Sequence, residues 1–301
     1  METAVIDVKD LSRTFADKKA LDGVSFSAAA GQVYGLVGSN GAGKTTLLKH
    51  MLGLLRATAG SVRIFGLDPV RDPVGVLGRV GYLSEERDLP EWMRIDELLR
   101  YTQAYHPTWD AAYARELLET FALDPRKKIK DLSKGMRAQA GLIAAVAHRP
   151  ELLILDEPSS GLDAMVRRDI LDAIVRAVAD DGRTVIFSSH LLDEVERMSD
   201  HVTLMQQGRV TLSGVLDDVR RDYQRSRVRF AEHFDQPPAL DTALAMEGGG
   251  RTWSVVHSGP VEQFRHSVLA RGGEVVESRD ATLEEIFLAR AGRSRQQVEA
   301  A

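Results

Sequence analysis

One glycine-rich segment of the 301-residue chain combines the residue types that hold phosphate groups. Its residues, in order, are Gly38, Ser39, Asn40, Gly41, Ala42, Gly43, Lys44, Thr45 and Thr46. The first eight fit the pattern G-x-x-x-x-G-K-[ST], in which glycines let backbone N–H groups converge on phosphate oxygens. Lys44 supplies a positive charge toward the β- and γ-phosphates, and the Thr45 hydroxyl is suited to bind Mg²⁺. The segment therefore predicts a nucleotide-binding loop.

Two adjacent carboxylates, Asp156 and Glu157, follow the apolar run 152–155. The run predicts a buried strand, and groups at the carboxyl end of a parallel strand face the ligand crevice. Asp156 is suited to hold Mg²⁺, usually through water, and Glu157 to orient and polarise the water that attacks the γ-phosphate. Together with the phosphate loop, the pair predicts that the nucleotide is hydrolysed as well as bound.

The elements that must position these groups alternate as in a parallel sheet covered by helices. A strand-like run, 33–37, precedes the phosphate loop, and a helical pattern, 45–55, follows it. The apolar runs 152–155 and 184–188 neighbour other helical stretches. Between about residues 89 and 148 the strand-like runs give way to amphipathic helical patterns. We expect an α/β fold with an inserted helical subdomain.

A change of pattern near Gly214 predicts a domain boundary. Two apolar runs, 202–205 and 210–212, read as a hairpin that closes the first domain. We predict a nucleotide-binding domain over residues 1–215 and a small α+β accessory domain over residues 216–301.

Composition and charge exclude several classes of protein. The chain has 44% hydrophobic and 28% charged residues, no cysteine and a net charge of −5, which is typical of a globular protein without cysteine chemistry. Because a basic excess is missing, nucleic acid is not an expected partner. No secretory signal or membrane-spanning run is evident, so we expect a cytoplasmic chain. The arginine-rich stretch 220–229 reads as a solvated linker, with contact to anionic lipid or a partner as the alternative.

The order of the motifs resembles that of ATP-binding-cassette (ABC) ATPases. The segment Leu132-Ser133-Lys134-Gly135-Met136 lies between the phosphate loop and the acid pair and resembles the family signature LSGGQ. Ser133 is suited to cap the following helix. In the family, this helix end faces the γ-phosphate of ATP bound to the opposite subunit, so the resemblance implies a head-to-tail dimer with two ATPs at its interface. Lys134 and Met136 depart from the family glycine and glutamine, whereas Ser133 and Gly135 match.

Four further positions extend the resemblance. Asp163, in Ser160-Gly161-Leu162-Asp163, resembles the D-loop aspartate at the dimer interface. His190 resembles the switch histidine that contacts the γ-phosphate, and Phe15 resembles the aromatic residue that stacks on adenine. Glu85, with the adjacent Glu86 as the alternative, stands where the family usually has the Q-loop glutamine, so the resemblance implies an oxygen for Mg²⁺ or water there. The loop around Glu85 would transmit the nucleotide state to a membrane partner.

Two weaker matches indicate a branch of the family. The stretch 108–131 and the segment 281–287 resemble ATPases that pair with ABC-2-type exporter permeases. This resemblance implies a P-loop NTPase (RecA-like) core with a β subdomain, an inserted helical subdomain and a small α+β C-terminal appendage. It also implies a homodimer or heterodimer that uses ATP and Mg²⁺ to drive separate transmembrane permease subunits at the inner face of the cell membrane.

Two other functions stay open at this point. One is an ABC ATPase without transport, acting on an envelope machine, ribosomes or DNA. The chain has a single phosphate loop and no long coiled-coil insertion, which does not favour the translation or repair branches. The other is a binding module that does not hydrolyse ATP. Glu157 and His190 argue against it, because closing on ATP does not by itself require a carboxylate that polarises water.

Overall fold

The computed structural model describes residues 4–290, with the side chains of residues 177–181 left aside. The chain divides into two compact units, Met1–Ser213 and Gly214–Ala301. In chain order, the elements up to Val215 are β1 (Ile6–Phe15), β2 (Lys18–Ala28), β3 (Val33–Val37), α1 (Lys44–Met51), β4 (Ala59–Ile64), α2 (Pro73–Leu77), β5 (Val80–Leu83), α3 (Ile95–Gln103), α4 (Ala111–Thr120), α5 (Lys134–Val146), β6 (Leu152–Asp156), α6 (Ala164–Asp181), β7 (Thr184–Ser189), α7 (Leu192–Met198), β8 (His201–Gln206) and β9 (Arg209–Val215).

A six-stranded sheet in the order β5-β6-β7-β3-β8-β9 forms the centre of the first unit. The strands from β5 to β8 in this order run parallel to their neighbours. Every residue of β3, β6 and β7 is buried, as expected for parallel strands that are covered on both faces. Asp156 pairs with Ser188, and Val37 pairs with Ser189. The carboxyl ends of three central strands therefore meet at one edge of the sheet.

A second, antiparallel sheet in the order β2-β1-β4 packs in the same unit. Its buried side chains, such as Ile6 and Leu21, share one hydrophobic cluster with Leu47 of α1 and Ile186 of the central sheet. Because α1 lies in this shared core, the residues that begin the helix are held firmly from two sides.

The helical region predicted between about residues 89 and 148 lies between β5 and β6. It contains α3, α4, a short 3₁₀ turn at Ile129–Asp131 and α5. The fold class predicted from the sequence is therefore confirmed: an α/β core with an antiparallel β subdomain and an inserted helical subdomain. Helix α1 is shorter than the predicted 45–55, since it ends at Met51.

The second unit has an α+β architecture of its own. Its elements are α8 (Leu216–Asp222), β10 (Tyr223–Phe234), β11 (Ala243–Ser258), α9 (Val261–Ala270) and β12 (Gly273–Asp280), with residues 283–290 also helical. The three strands form an antiparallel sheet in the order β11-β10-β12. Val228, Phe230, Trp253 and Phe264 lie in its core.

The interpretation of the arginine-rich stretch 220–229 as a linker is wrong. Its residues form the end of α8 and most of β10. The buried residues Ser226, Val228 and Phe230 alternate with exposed ones along β10, and Arg225 donates to Glu285 Oε1 at 2.5 Å. The three arginines of β10 are compatible with a strand because each pairs with a carboxylate from a neighbouring element: Arg225 with Glu285, Arg227 with Glu277 and Arg229 with Glu274.

Candidate nucleotide-binding site

The phosphate loop connects β3 directly to α1, and its backbone requires glycine. Gly43, which caps α1, has φ of 108°. A Cβ atom at this position would lie 2.7 Å from the carbonyl oxygen of Ala20, so any side chain would collide with β2. No side-chain hydrogen bond caps the start of α1, so its first N–H groups and the positive end of the helix dipole favour an anion there.

Lys44 joins the phosphate loop to the end of β6. Its Nζ donates to the carbonyl oxygen of Gly38 at 2.7 Å and lies 3.2 Å from Glu157 Oε1. The side chains of Lys44 and Glu157 are 6% and 5% exposed. Because burying a single charge is costly, the lysine and the carboxylate stabilise each other at this position.

Glu157 is fixed by contacts with the neighbouring strand β7. Its backbone N–H donates to Ser188 Oγ at 2.9 Å, and the Ser188 hydroxyl donates to Asp156 Oδ1 at 2.6 Å. Glu157 has φ of 48°, in the left-handed region that residues other than glycine rarely adopt. Its other carboxylate oxygen, Oε2, lies 2.7 Å from His190 Nδ1. The carboxylate thus connects the phosphate loop with the residue that follows β7.

A cavity of about 390 Å³ opens at this edge of the sheet. Its lining consists of Phe15, Lys18, Ala20, Ser39, Asn40, Gly41, Ala42, Gly43, Lys44, Thr45, Thr46, Glu85 and Glu157. Phe15 is 42% exposed, which leaves one face available to a planar base, and the Arg13 guanidinium lies 4.6 Å from the centre of its ring. The phosphate loop, the aromatic residue and two carboxylates predicted from the sequence therefore share one cavity.

The oxygen groups predicted to hold Mg²⁺ are distributed around this cavity. Thr45 and Glu85 line it, and the buried Asp156 directly precedes Glu157. Burial, together with the negative charge of the nearby Asp156, raises the pKa of Tyr82 to about 12. Among the side chains of residues 4–176 and 182–290, no group of three or more His, Asp or Glu converges as a metal cage. The available oxygens still fit Mg²⁺, which is usually bound by one or two carboxylates beside phosphate oxygens and water.

Ser133, Gly135 and Asp163 are not among the residues that line this cavity. Ser133 caps α5, because its Oγ accepts from the backbone N–H of Met136 at 3.2 Å. Asp163 Oδ1 accepts in the same way from Met165 and Val166 at the start of α6. A Cβ at Gly135 would lie 3.0 Å from Val166, so the glycine allows α5 and α6 to approach closely. The three residues lie at the starts of α5 and α6, outside the cavity.

Two residues with contacts at the site were given no role of their own in the sequence analysis. Ser188 links Asp156 to the backbone of Glu157, and Arg87 contacts the backbone just after Glu157. The parallel pairing of β6 with β7 is the signal that could have found Ser188. No sequence signal distinguishes Arg87 from any other charged residue in a polar loop.

The comparisons with known proteins agree with this geometry. Residues 21–160 match the model of a family described as ABC transporter. The full length of the chain is 33% identical to the full length of the daunorubicin resistance ATP-binding protein DrrA3 of Streptomyces coeruleorubidus. The chain belongs to the ABC transporter family.

This ABC ATPase has relatives of similar length and solved structures of the same fold. It is 32% identical to the Nod factor export ATP-binding protein I of Burkholderia lata, over 98% of the chain and 100% of that protein. A solved ATP-binding subunit of an ABC transporter superposes with a TM-score of 0.67 at 32% identity, covering 72% of this chain and 92% of that one. The protein is thus an ATP-binding ATPase. In the part of the chain that the structure describes, residues 4–176 and 182–290, no helix has the length and apolar composition needed to cross a membrane.

Proposed function

We propose that this ABC ATPase is the motor subunit of an exporter, in which ATP-driven closure of two such subunits moves separate permease subunits in the membrane. One observation carries the hydrolytic part of the proposal: the Glu157 carboxylate contacts both Lys44 of the phosphate loop and His190 after β7. The names of the relatives, which refer to drug resistance and to Nod factor export, support the exporter part.

In this proposal, the cavity binds ATP through three groups of residues. Phe15 stacks on the adenine, the N–H groups of the loop from Gly38 to Thr46 hold the phosphates, and Lys44 neutralises charge on the β- and γ-phosphates. The Thr45 hydroxyl and the carboxylates of Asp156 and Glu85 would hold Mg²⁺, which would neutralise further charge on the phosphate oxygens.

Hydrolysis in this proposal depends on Glu157. The carboxylate accepts a hydrogen bond from the attacking water and orients it in line with the γ-phosphate. His190 contacts the carboxylate at Oε2, and its imidazole is 45% exposed. In the proposal, this exposed ring contacts the γ-phosphate of bound ATP. The positive φ of Glu157 supports this assignment, since strained backbone is retained where the surrounding contacts hold a functional side chain.

The dimer in this proposal completes each ATP site from the opposite subunit. Ser133, Gly135 and Asp163 lie outside the cavity of their own chain, and the capped start of α5 presents N–H groups to an anion. A second copy or a related chain would therefore bring its Ser133 and Gly135 to the γ-phosphate.

The proposed membrane partner is sought by trapping the ATP-bound, closed dimer. Tagged Glu157→Gln is expressed in its native cell and held with ATP, the membranes are solubilised, and the proteins that copurify are identified by mass spectrometry. A stoichiometric protein with several membrane spans supports the exporter proposal. Recovery with ribosomal or DNA-associated proteins instead would overturn it in favour of an ABC ATPase without transport. A matched Glu157→Gln, Lys44→Ala double variant controls for capture that does not depend on ATP.

A further inference from the structure

A buried arginine contacts the backbone immediately after Glu157. Arg87 belongs to the loop that follows β5 and also carries Glu85, and its residue is only 5% exposed. Its Nη2 donates to the carbonyl oxygens of Pro158 at 3.1 Å and Ser160 at 3.0 Å. A guanidinium from one loop therefore holds two backbone groups of another, within three residues of the proposed water-polarising carboxylate.

The residue between these two carbonyls is held from another element. The Ser159 hydroxyl donates to Glu194 Oε2 at 2.5 Å, and Glu194, on α7, is 3% exposed. Burial raises the pKa of Glu194, while its contacts with Ser159 and Arg167 oppose that shift. The segment 158–160 is thus anchored by two buried ionisable side chains that come from distant parts of the sequence.

Burying the Arg87 guanidinium costs free energy that a residue used only for packing would not require. Burial lowers the pKa of the Arg87 guanidinium, with the charge of Glu85 acting in the opposite direction. Its Nε and Nη1 atoms have no hydrogen-bond partner among the residues that the structure describes. Arg87 also has φ of 53°, a left-handed conformation in a residue other than glycine. A buried arginine with two unpaired donors is retained where a hydrogen bond from that side chain is needed.

We propose that Arg87 is a positioning residue for hydrolysis: it fixes the segment 158–160 and thereby the direction of the Glu157 carboxylate. Two carbonyls held by one guanidinium restrict the backbone that follows Glu157, whose own φ is already unusual. Because Arg87 lies two residues after Glu85 in the same loop, a shift of that loop would change the direction of the Glu157 carboxylate. This inference rests on the role of Glu157 in the proposed function.

The first test compares three variants of the full-length chain. Arg87→Met keeps the length of the side chain and removes its donors, and Arg87→Lys keeps a charge and donors on a shorter reach. Arg79→Met is the matched control, because Arg79 forms its pair with Glu151 on the exposed surface. We expect Arg87→Met to lower kcat on the order of 10- to 100-fold through misplacement of Glu157, with KM for ATP within about twofold of wild type.

The expected split between kcat and KM separates positioning from general loss of structure. Thermal unfolding and equilibrium binding of ATP are measured for each variant. Arg87→Lys should recover part of kcat, and Arg79→Met should keep the wild-type value. A folded Arg87→Met variant with wild-type kcat would overturn the inference. If Arg87→Met does not fold, the test uses Arg87→Lys, whose shorter side chain weakens the contacts with the two carbonyls. A lower kcat at unchanged ATP affinity then supports the inference, and a wild-type kcat overturns it.

A cycle with Glu157→Gln tests whether Arg87 acts through the carboxylate. Single-turnover phosphate release is measured for both single variants and the double variant. If Arg87 acts through Glu157, adding Arg87→Met to Glu157→Gln causes no further loss. Losses that multiply would overturn the inference and leave the proposed function intact. Wild-type turnover in Glu157→Gln alone would instead overturn the proposed role of Glu157 and, with it, this inference.

Discussion

Glu157 Oε2 lies 2.7 Å from His190 Nδ1, although 32 residues separate them in the chain. The contact exists because β6 and β7 are parallel neighbours in register, so the residues that follow the two strands emerge at the same edge of the sheet. The backbone N–H of His190 also donates to Oε2, at 3.3 Å. Both of these contacts to Oε2 come from His190. The other oxygen, Oε1, lies beside Lys44 of the phosphate loop.

Replacing Glu157 with glutamine should separate ATP binding from ATP hydrolysis. The amide keeps the size of the side chain but cannot act as a general base, so turnover should fall on the order of 100-fold or more. ATP affinity should be retained, and the ATP-bound dimer should accumulate. Phosphate release and size-exclusion chromatography with ATP measure the two effects. Turnover equal to wild type would contradict the role given to Glu157.

Replacing Lys44 with alanine should weaken ATP binding itself. The ammonium is the charged group of the phosphate loop, and losing a charge-assisted contact is expected to cost about 1.5–3 kcal/mol, or roughly 10- to 100-fold in affinity. Isothermal titration with ATP checks this value. Lys49→Ala, on the same helix but outside the cavity lining, is the control and should bind as wild type does. Equal affinities for the two variants would contradict the assignment.

Replacing Ser133 with alanine should impair closure of the dimer and leave binding to the monomer unchanged. The Ser133 side chain caps α5 and does not line the cavity of its own chain. In the Glu157→Gln background, the ATP-induced dimer should be reduced, while ATP affinity below the dimerisation concentration should stay constant. Asp72→Ala removes the cap of α2 and controls for a stability loss of about 1 kcal/mol. Loss of monomer affinity in Ser133→Ala would rule out a contact across the dimer.

The stability of the second unit should fall as the pH drops from about 6.5 toward 4. His257 is fully buried and stacks on Phe264, and burial lowers the pKa of its imidazole to about 4. The unfolded state takes up a proton near the ordinary histidine pKa, while the folded state stays neutral until about pH 4, so the stabilisation is complete above pH 6.5 and lost below it. The loss is on the order of 3 kcal/mol.

Urea unfolding at pH 7 and at pH 4.5 checks this dependence. The transition is followed by fluorescence of the buried Trp253, with Trp92 and Trp109 replaced by phenylalanine in every sample. His257→Gln should reduce the difference between the two pH values, whereas His266→Gln, at an exposed position of α9, should keep it. An unchanged difference in His257→Gln would mean that other groups cause the acid sensitivity.

Local motifs account for what the sequence predicted correctly. The phosphate loop, the acid pair and the strand before each of them are defined by residues that lie next to each other, so pattern and spacing suffice to find them. The order of these motifs also indicated the α/β fold and the inserted helices. The arginine-rich stretch 220–229 was misread because its charges resemble a solvated linker, and only the carboxylates of neighbouring elements make it compatible with a strand.

The sequence by itself therefore determined which chemical groups this ABC ATPase carries, and the tertiary structure decided which of them lie together. Parallel pairing brings Lys44, Glu157 and His190 to one edge of the sheet. The fold also buries Arg87 against the backbone after Glu157, a contact that joins loops 71 residues apart. Such contacts depend on crossover connections and strand register, which bring distant segments together, and the local sequence of neither segment specifies its partner.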